Sequence, residues 1–103
     1  MEEISILRKL KHPNIIKFYE AIMENQKCYI VTELCKEGNL EERIKWKKSF
    51  KDEELSDIIG DVYQGLKYLK QIGVCHRDIK AANIFMKGGR AKIADFGLAR
   101  FYK

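Results

Sequence analysis

Seven large apolar residues, Leu55, Ile58, Ile59, Val62, Tyr63, Leu66 and Leu69, recur at steps of 3, 1, 3, 1, 3 and 3. That spacing follows the period of an α-helix and draws one stripe along it, which predicts a helix that ends before Gly73 and packs the whole stripe as core. Gly60 and Gly65 interrupt the stretch, and each costs a helix about 1 kcal/mol relative to Ala. Such a helix persists only with tertiary contacts, so the rest of the chain must supply a surface for it. With 103 residues, 46% hydrophobic and 34% charged, the chain has the length and composition of one small globular domain.

The other segments are shorter. Ile4, Leu7 and Leu10 lie at helical spacing, and Pro13 stops their helix near His12 because the residue before a proline is pushed out of the α region. Residues 15–22 and 28–34 are rich in apolar and β-branched side chains, and the polar Glu24-Asn25-Gln26-Lys27 between them predicts an antiparallel hairpin. Leu40 and Ile44, four apart among charges, mark a short amphipathic helix. Ile84-Phe85-Met86 and Ala91-Lys92-Ile93-Ala94 flank Lys87-Gly88-Gly89-Arg90, which reads as a second hairpin. Residues 73–83 and those from Asp95 onward are left as loops. The expected fold class is α+β.

Several function classes are disfavoured. The net charge is +5, but the basic residues are spread along the chain, and Lys45, Lys47 and Lys48 around Trp46 read as a solvated helix face. No nucleic-acid partner is expected. No apolar run approaches the roughly 18 residues of a membrane helix, and Met1 is followed by Glu2 and Glu3 rather than by a basic and then an apolar segment. No membrane association is expected either. Cys28, Cys35 and Cys75 are odd in number and form no CxxC pair, so reduced, buried thiols in a cytoplasmic or nuclear protein are expected.

The two predicted loops hold the chemistry. One reads His76-Arg77-Asp78-Ile79-Lys80-Ala81-Ala82-Asn83, and the other begins Asp95-Phe96-Gly97. With these motifs at this separation the sequence resembles the eukaryotic protein kinase family over its whole length. Phosphoryl transfer asks a protein to position reactants and neutralise spreading negative charge. Asp78 offers a carboxylate able to accept a hydroxyl proton and orient the attacking oxygen. Asn83 and Asp95 offer hard oxygen ligands suited to Mg²⁺, although the same residue types also form turns. Lys80 places a positive charge two residues from Asp78. His76 is expected to be a packed, hydrogen-bonded histidine rather than a proton shuttle.

The resemblance implies further roles. Asp95 would hold Mg²⁺ against the phosphates of ATP, Asn83 would hold a second ion, and Lys80 would meet the γ-phosphate, as in the serine/threonine branch. Glu3, followed by Ile4-Ser5-Ile6-Leu7 and His12-Pro13-Asn14, resembles the glutamate of the regulatory helix, although it also fits a solvated helix-terminal acid. Thr32 resembles the gatekeeper, and Glu33 to Cys35 the hinge whose backbone meets adenine. Asn39 matches the position that reaches the ribose, while Leu40, Ile84 and Phe85 match apolar positions around adenine. Leu7, Phe18, His76 and Phe96 match a stacked set of side chains in an assembled site. The implied fold is a partial kinase-like domain over 1–103, with 1–34 part of the small lobe and 35–103 the hinge and first part of the large lobe. The implied function is phosphorylation of serine or threonine in a protein substrate, with ATP and Mg²⁺ as cofactors. Nothing in the sequence specifies an oligomeric state.

Glycines two apart are absent, and only Met1 and Glu2 precede Glu3, so the phosphate-covering loop and anchoring lysine of the family are not among these residues. The APE motif and the peptide-binding helices are not among them either. The expectation is therefore a piece of a kinase chain that alone neither transfers phosphate nor binds MgATP tightly. The alternatives are a catalytically inactive remnant that acts only by binding, and an unrelated basic binding module, which the motif spacing disfavours.

Overall fold

A computed structural model of the chain describes residues 2–46, 50–97 and 99–101. Helix α1 spans Glu2–Lys9, strand β1 Phe18–Glu24 and strand β2 Lys27–Thr32. Helices α2, Leu40–Trp46, and α3, Asp52–Gln71, follow. The short strand β3, Val74–Cys75, leads to a single 3-10 turn at Ala81–Asn83. Strands β4, Ile84–Lys87, β5, Arg90–Ile93, and β6, Arg100–Phe101, complete the described order. The strands form three antiparallel pairs, β1 with β2, β4 with β5 and β3 with β6. Helices and small antiparallel sheets in this order agree with the α+β class and with a partial kinase-like fold.

Both predicted hairpins are present. Asn25 and Gln26, at φ 52° and 65°, turn β1 into β2, and Gly88 and Gly89, at φ 58° and 78°, turn β4 into β5. Two consecutive positive φ values give the turn whose twist matches paired strands. The first strand begins later than the predicted residue 15, because β5 already occupies that backbone. Ile16 N–H donates to the Ile93 carbonyl at 2.9 Å, Ile93 N–H donates to the Asn14 carbonyl at 2.9 Å, and Asn14 Nδ2 donates to the Ala91 carbonyl at 3.0 Å. The segments expected as loops contain β3 and β6, which at two residues each are too short to show periodicity.

Helix α3 is longer than its stripe, and Asp52, Glu53 and Glu54 in its first turn complement the positive end of the helix dipole. The stripe itself is split. Ile58 and Leu69 are buried and Val62 packs against the core, but Ile59 and Tyr63 are 67% and 61% exposed, and Leu55 and Leu66 also face outward. The buried face runs instead through Asp61 and Gly65. A Cβ on Gly65 would lie 2.8 Å from Ile93 Cδ1 and 3.1 Å from the Asn14 carbonyl, so glycine is what allows α3 to approach β5. Asp61 accepts from Arg90 Nε at 3.1 Å, Arg90 Nη2 at 2.6 Å and Ala91 N–H at 2.9 Å, which fastens the helix to the same strand. Tyr68 reaches the other way. Its hydroxyl donates to the Lys9 carbonyl at 3.0 Å and accepts from Lys11 N–H at 2.8 Å, closing the end of α1.

Helix α2 buries none of its residues; Leu40 packs against the core while Ile44 is exposed. Lys47 and Lys48 of the basic stretch lie outside the described residues. The thiols also differ from expectation, since Cys35 is buried but Cys28 is half-buried and Cys75 exposed, each of them free. No helix among the described residues is long and apolar enough to cross a membrane.

Candidate active site

The loop from His76 to Asn83 is tied to the segment before Phe96 at two points. His76 Nε2 lies 2.8 Å from the Ala94 carbonyl, and Asp78 N–H donates to His76 Nδ1 at 3.1 Å. Because Nδ1 must accept, the ring carries its proton on Nε2 and donates it to Ala94. Both ring nitrogens are thus spent on holding the two loops together, and the Phe96 ring meets the imidazole edge-on at 4.7 Å. The Asn83 carbonyl accepts from Ala94 N–H at 2.8 Å, the second tie. Arg77 and Asp95 turn with positive φ, 69° and 55°. Such conformations cost a non-glycine residue about 1–3 kcal/mol and persist where the surroundings impose them.

Those ties bring Asp78, Lys80 and Asn83 into one cluster. Asn83, itself buried, donates through Nδ2 to the Asp78 carbonyl at 2.8 Å and to Asp78 Oδ2 at 3.1 Å. This fixes the carboxylate and leaves Asn83 Oδ1 without a protein donor among the described residues. Lys80 Nζ stands 3.7 Å from Asp78 Oδ1 with its side chain 59% exposed, so the contact is a loose ion pair in solvent. Asp95 is exposed, and its Oδ1 accepts from Gly97 N–H at 3.2 Å.

A cleft of about 390 Å³, within the usual size range of small-molecule sites, is lined by Ala94, Asp95 and Phe96 of the adjoining segment, whereas Asp78, Lys80 and Asn83 are not among its lining residues. Thr32, Glu33, Leu34 and Cys35 line it together with Phe85 of β4, Glu3 and Leu7 of α1, and Asp95 and Phe96. Of the residues that the resemblance assigns to the regulatory helix, the hinge and the surroundings of adenine, Glu3, Thr32, Glu33, Leu34, Cys35 and Phe85 therefore line one cavity. Asn39 does not. Its Oδ1 accepts from Glu42 N–H at 2.9 Å while Glu42 Oε1 accepts from Asn39 N–H at 3.2 Å, a reciprocal cap that starts α2. Ile84 is buried in the core rather than in the cleft. Leu7, His76 and Phe96 are buried, and Phe18 packs against the same core.

The Glu33 N–H donates to the Lys17 carbonyl at 2.9 Å, whereas Cys35 N–H makes no hydrogen bond among the described residues. The Glu33 carboxylate, which the sequence did not single out, is a hub. It accepts from Lys17 N–H at 2.7 Å, Lys87 Nζ at 3.0 Å and Lys92 Nζ at 3.2 Å. Burial pushes its pKa up, but the bonds from Lys87, the Lys17 amide and Lys92 outweigh that and hold it below the ordinary 4.5. Burial also pushes the Cys35 thiol up, with the nearby Glu33 charge adding to it. The one available signal for Glu33 was an acid inside the apolar run Ile30-Val31-Thr32-Glu33-Leu34-Cys35.

The donor chemistry fits Mg²⁺. Asn83 Oδ1 and the Asp95 carboxylate are hard oxygens on loops joined through Ala94, and Mg²⁺ takes few protein ligands because it keeps water and phosphate oxygens around itself.

The family model for the protein kinase domain matches residues 1–103. The serine/threonine-protein kinase polo of Drosophila melanogaster is 43% identical over 99 residues, covering 95% of this chain and 17% of that protein. A probable serine/threonine-protein kinase of Dictyostelium discoideum is 45% identical over 101 residues, 97% of this chain and 20% of its own length. Human serine/threonine-protein kinase Nek5 is 39% identical over 103 residues, 96% of this chain and 14% of its own. The chain thus spans a fifth or less of the length of these relatives.

Proposed function

The chain belongs to the protein kinase family, and from that premise we propose that it carries the nucleotide cleft and catalytic loop of an enzyme that phosphorylates serine or threonine hydroxyls of proteins. Protein kinases generally use ATP and Mg²⁺. The observation that carries the reading is the pair of bonds from Asn83 Nδ2 to Asp78, which joins the candidate base to a candidate metal ligand.

In this reading adenine enters between Phe85 and the hinge. The Glu33 N–H is already committed to Lys17, which leaves the Cys35 N–H and the second lone pair of the Glu33 carbonyl, whose first accepts from the Thr32 hydroxyl at 3.2 Å, as the backbone groups to meet it. The acceptor hydroxyl approaches Asp78, whose Oδ2 is held by Asn83 and whose Oδ1 is shared only loosely with Lys80. Asp78 orients the hydroxyl and takes its proton as the oxygen attacks the γ-phosphorus, and the bond from that phosphorus to the bridging oxygen breaks to leave ADP. Lys80 faces the charge that spreads onto the transferring group. Asp95 and Asn83 would hold Mg²⁺, whose charge would offset that of the phosphates. Free thiols on the described residues are compatible with a cytoplasmic or nuclear location.

The test uses the complete polypeptide that carries this chain, with MgATP and a mixed peptide library. The expected product is phosphoserine and phosphothreonine, with tyrosine essentially unlabelled. Predominant phosphotyrosine would overturn the serine/threonine assignment. A polypeptide that binds MgATP but labels nothing would favour the inactive binding module instead.

A further inference from the structure

Cross-strand geometry places three side chains of the β4–β5 hairpin on one face. Phe85 and Lys87 are two apart on β4, and Lys92 of β5 is the direct partner of Phe85. Phe85 lines the same cleft as the hinge residues Thr32 to Cys35, while the two lysines beside it reach across to the buried Glu33 carboxylate. Glu33 in turn sits between Thr32 and Cys35, which line the cleft as well. The far end of the hinge is tied to the same hairpin by backbone groups, since Met86 N–H donates to the Gly38 carbonyl at 3.0 Å and Gly88 N–H donates to the Glu37 carboxylate. At the near end the link runs through the Glu33 side chain.

Resting on the kinase reading, we infer that Glu33 is a positioning residue for the nucleotide: by gripping Lys92 and Lys87 its carboxylate sets the spacing between the hinge and Phe85. The two grips differ in strength. Lys92 is 16% exposed and meets a carboxylate that is 5% exposed, so its pair is poorly screened, whereas Lys87 is 49% exposed and its pair is weakened by solvent. Lys92 is therefore the main partner. Removing the grip lets the hinge wall move away from Phe85, which weakens nucleotide binding and leaves Asp78 and its partners as they are.

The experiment compares the complete polypeptide with its Glu33→Gln, Lys92→Met and Lys87→Met variants, using MgATP and casein as acceptor. Glu33→Gln keeps the shape and removes the charge, so the KM for ATP should rise about 3- to 10-fold while kcat stays within about twofold. Lys92→Met should raise KM similarly and Lys87→Met less, and combining Glu33→Gln with Lys92→Met should do no more than the larger single change. An unchanged or lowered KM, a loss confined to kcat, or additive effects of Glu33 and Lys92 would overturn the inference. Hydrogen exchange of the 33–38 amides separates this from the fate of the kinase reading. If the unaltered protein neither binds MgATP nor labels casein, the kinase reading fails and the nucleotide role of Glu33 goes with it. In a working kinase, faster exchange in both the Glu33 and Lys92 variants is expected, and unchanged exchange overturns the grip.

Discussion

Asp61 and Glu33 on one side, Asp78 and Asp95 on the other, are the same kind of group put to different uses. The Asp61 and Glu33 side chains are 8% and 5% exposed, and each accepts three hydrogen bonds from basic side chains and backbone amides. A carboxylate withdrawn that far from water is tolerable only with such compensation, so its lone pairs are committed and it serves as a staple. The Asp78 side chain is 28% exposed, its Oδ1 has only a lysine at 3.7 Å, and Asp95 is exposed with a single backbone donor. Oxygens left in partial contact with water remain available to a hydroxyl or a cation. Access to solvent and the number of donors, rather than residue type, separate the structural acids from those proposed to be reactive.

Substitutions can break this contrast in either direction. The largest expected effect is Asp78→Asn in the complete polypeptide, which should lower turnover about 10²- to 10⁴-fold with little change in MgATP affinity or melting temperature. Full turnover by this variant would remove Asp78 from the reactive class. Asp61→Ala should do the opposite, costing about 1–3 kcal/mol in urea unfolding by leaving the buried Ala91 amide without its acceptor, while Arg90, 66% exposed, turns to water and the remaining folded enzyme keeps its kcat. If Asp61→Ala melts like the parent, Asp61 is no staple.

Acid should expose Glu33 next. Its folded pKa is depressed below 4.5, so its contribution to stability is complete above that value and is lost as pH falls through the lower folded value. Urea midpoints followed downward from pH 5 should therefore decline less steeply in Glu33→Gln than in the parent, and parallel curves would show that Glu33 is not a staple. The smallest effect separates the two glycines of α3. Gly60 has nothing within 4 Å of a built Cβ, so Gly60→Ala should stabilise by about 0.5–1 kcal/mol. Gly65→Ala should destabilise despite the same gain in helix propensity, because its methyl meets Ile93 and the Asn14 carbonyl. Equal shifts for the pair, read from thermal unfolding, would contradict the close approach of α3 to β5.

Much of the fold was legible because its signals are local. Pro13 bounds the first helix, although α1 already stops at Lys9 rather than near His12, two polar turns set the hairpins, and the stripe from Leu55 to Leu69 marks α3. The stripe misled on burial, since a helical period identifies an apolar face without saying how much of it finds a partner, and Ile59 and Tyr63 stay exposed. Strands β3 and β6 were invisible at two residues each. For the candidate site, Asp78, Asn83 and Asp95 stood out by type and spacing. Asn39 stands apart from them, because a reciprocal bond with Glu42, three positions further along the chain, satisfies its oxygen locally.

By itself the sequence determined the longer elements, their order and the family, since capping, turn chemistry and motif spacing act over a few residues and need no knowledge of distant neighbours. Only the tertiary structure decided which polar groups are spent. Asp61 meets Arg90 across 29 positions, Glu33 meets Lys87 and Lys92 across 54 and 59, and His76 meets Ala94 across 18. Those contacts depend on how α3 and the β4–β5 hairpin close on one another, and the desolvation that makes a buried acid a staple exists only once they have closed.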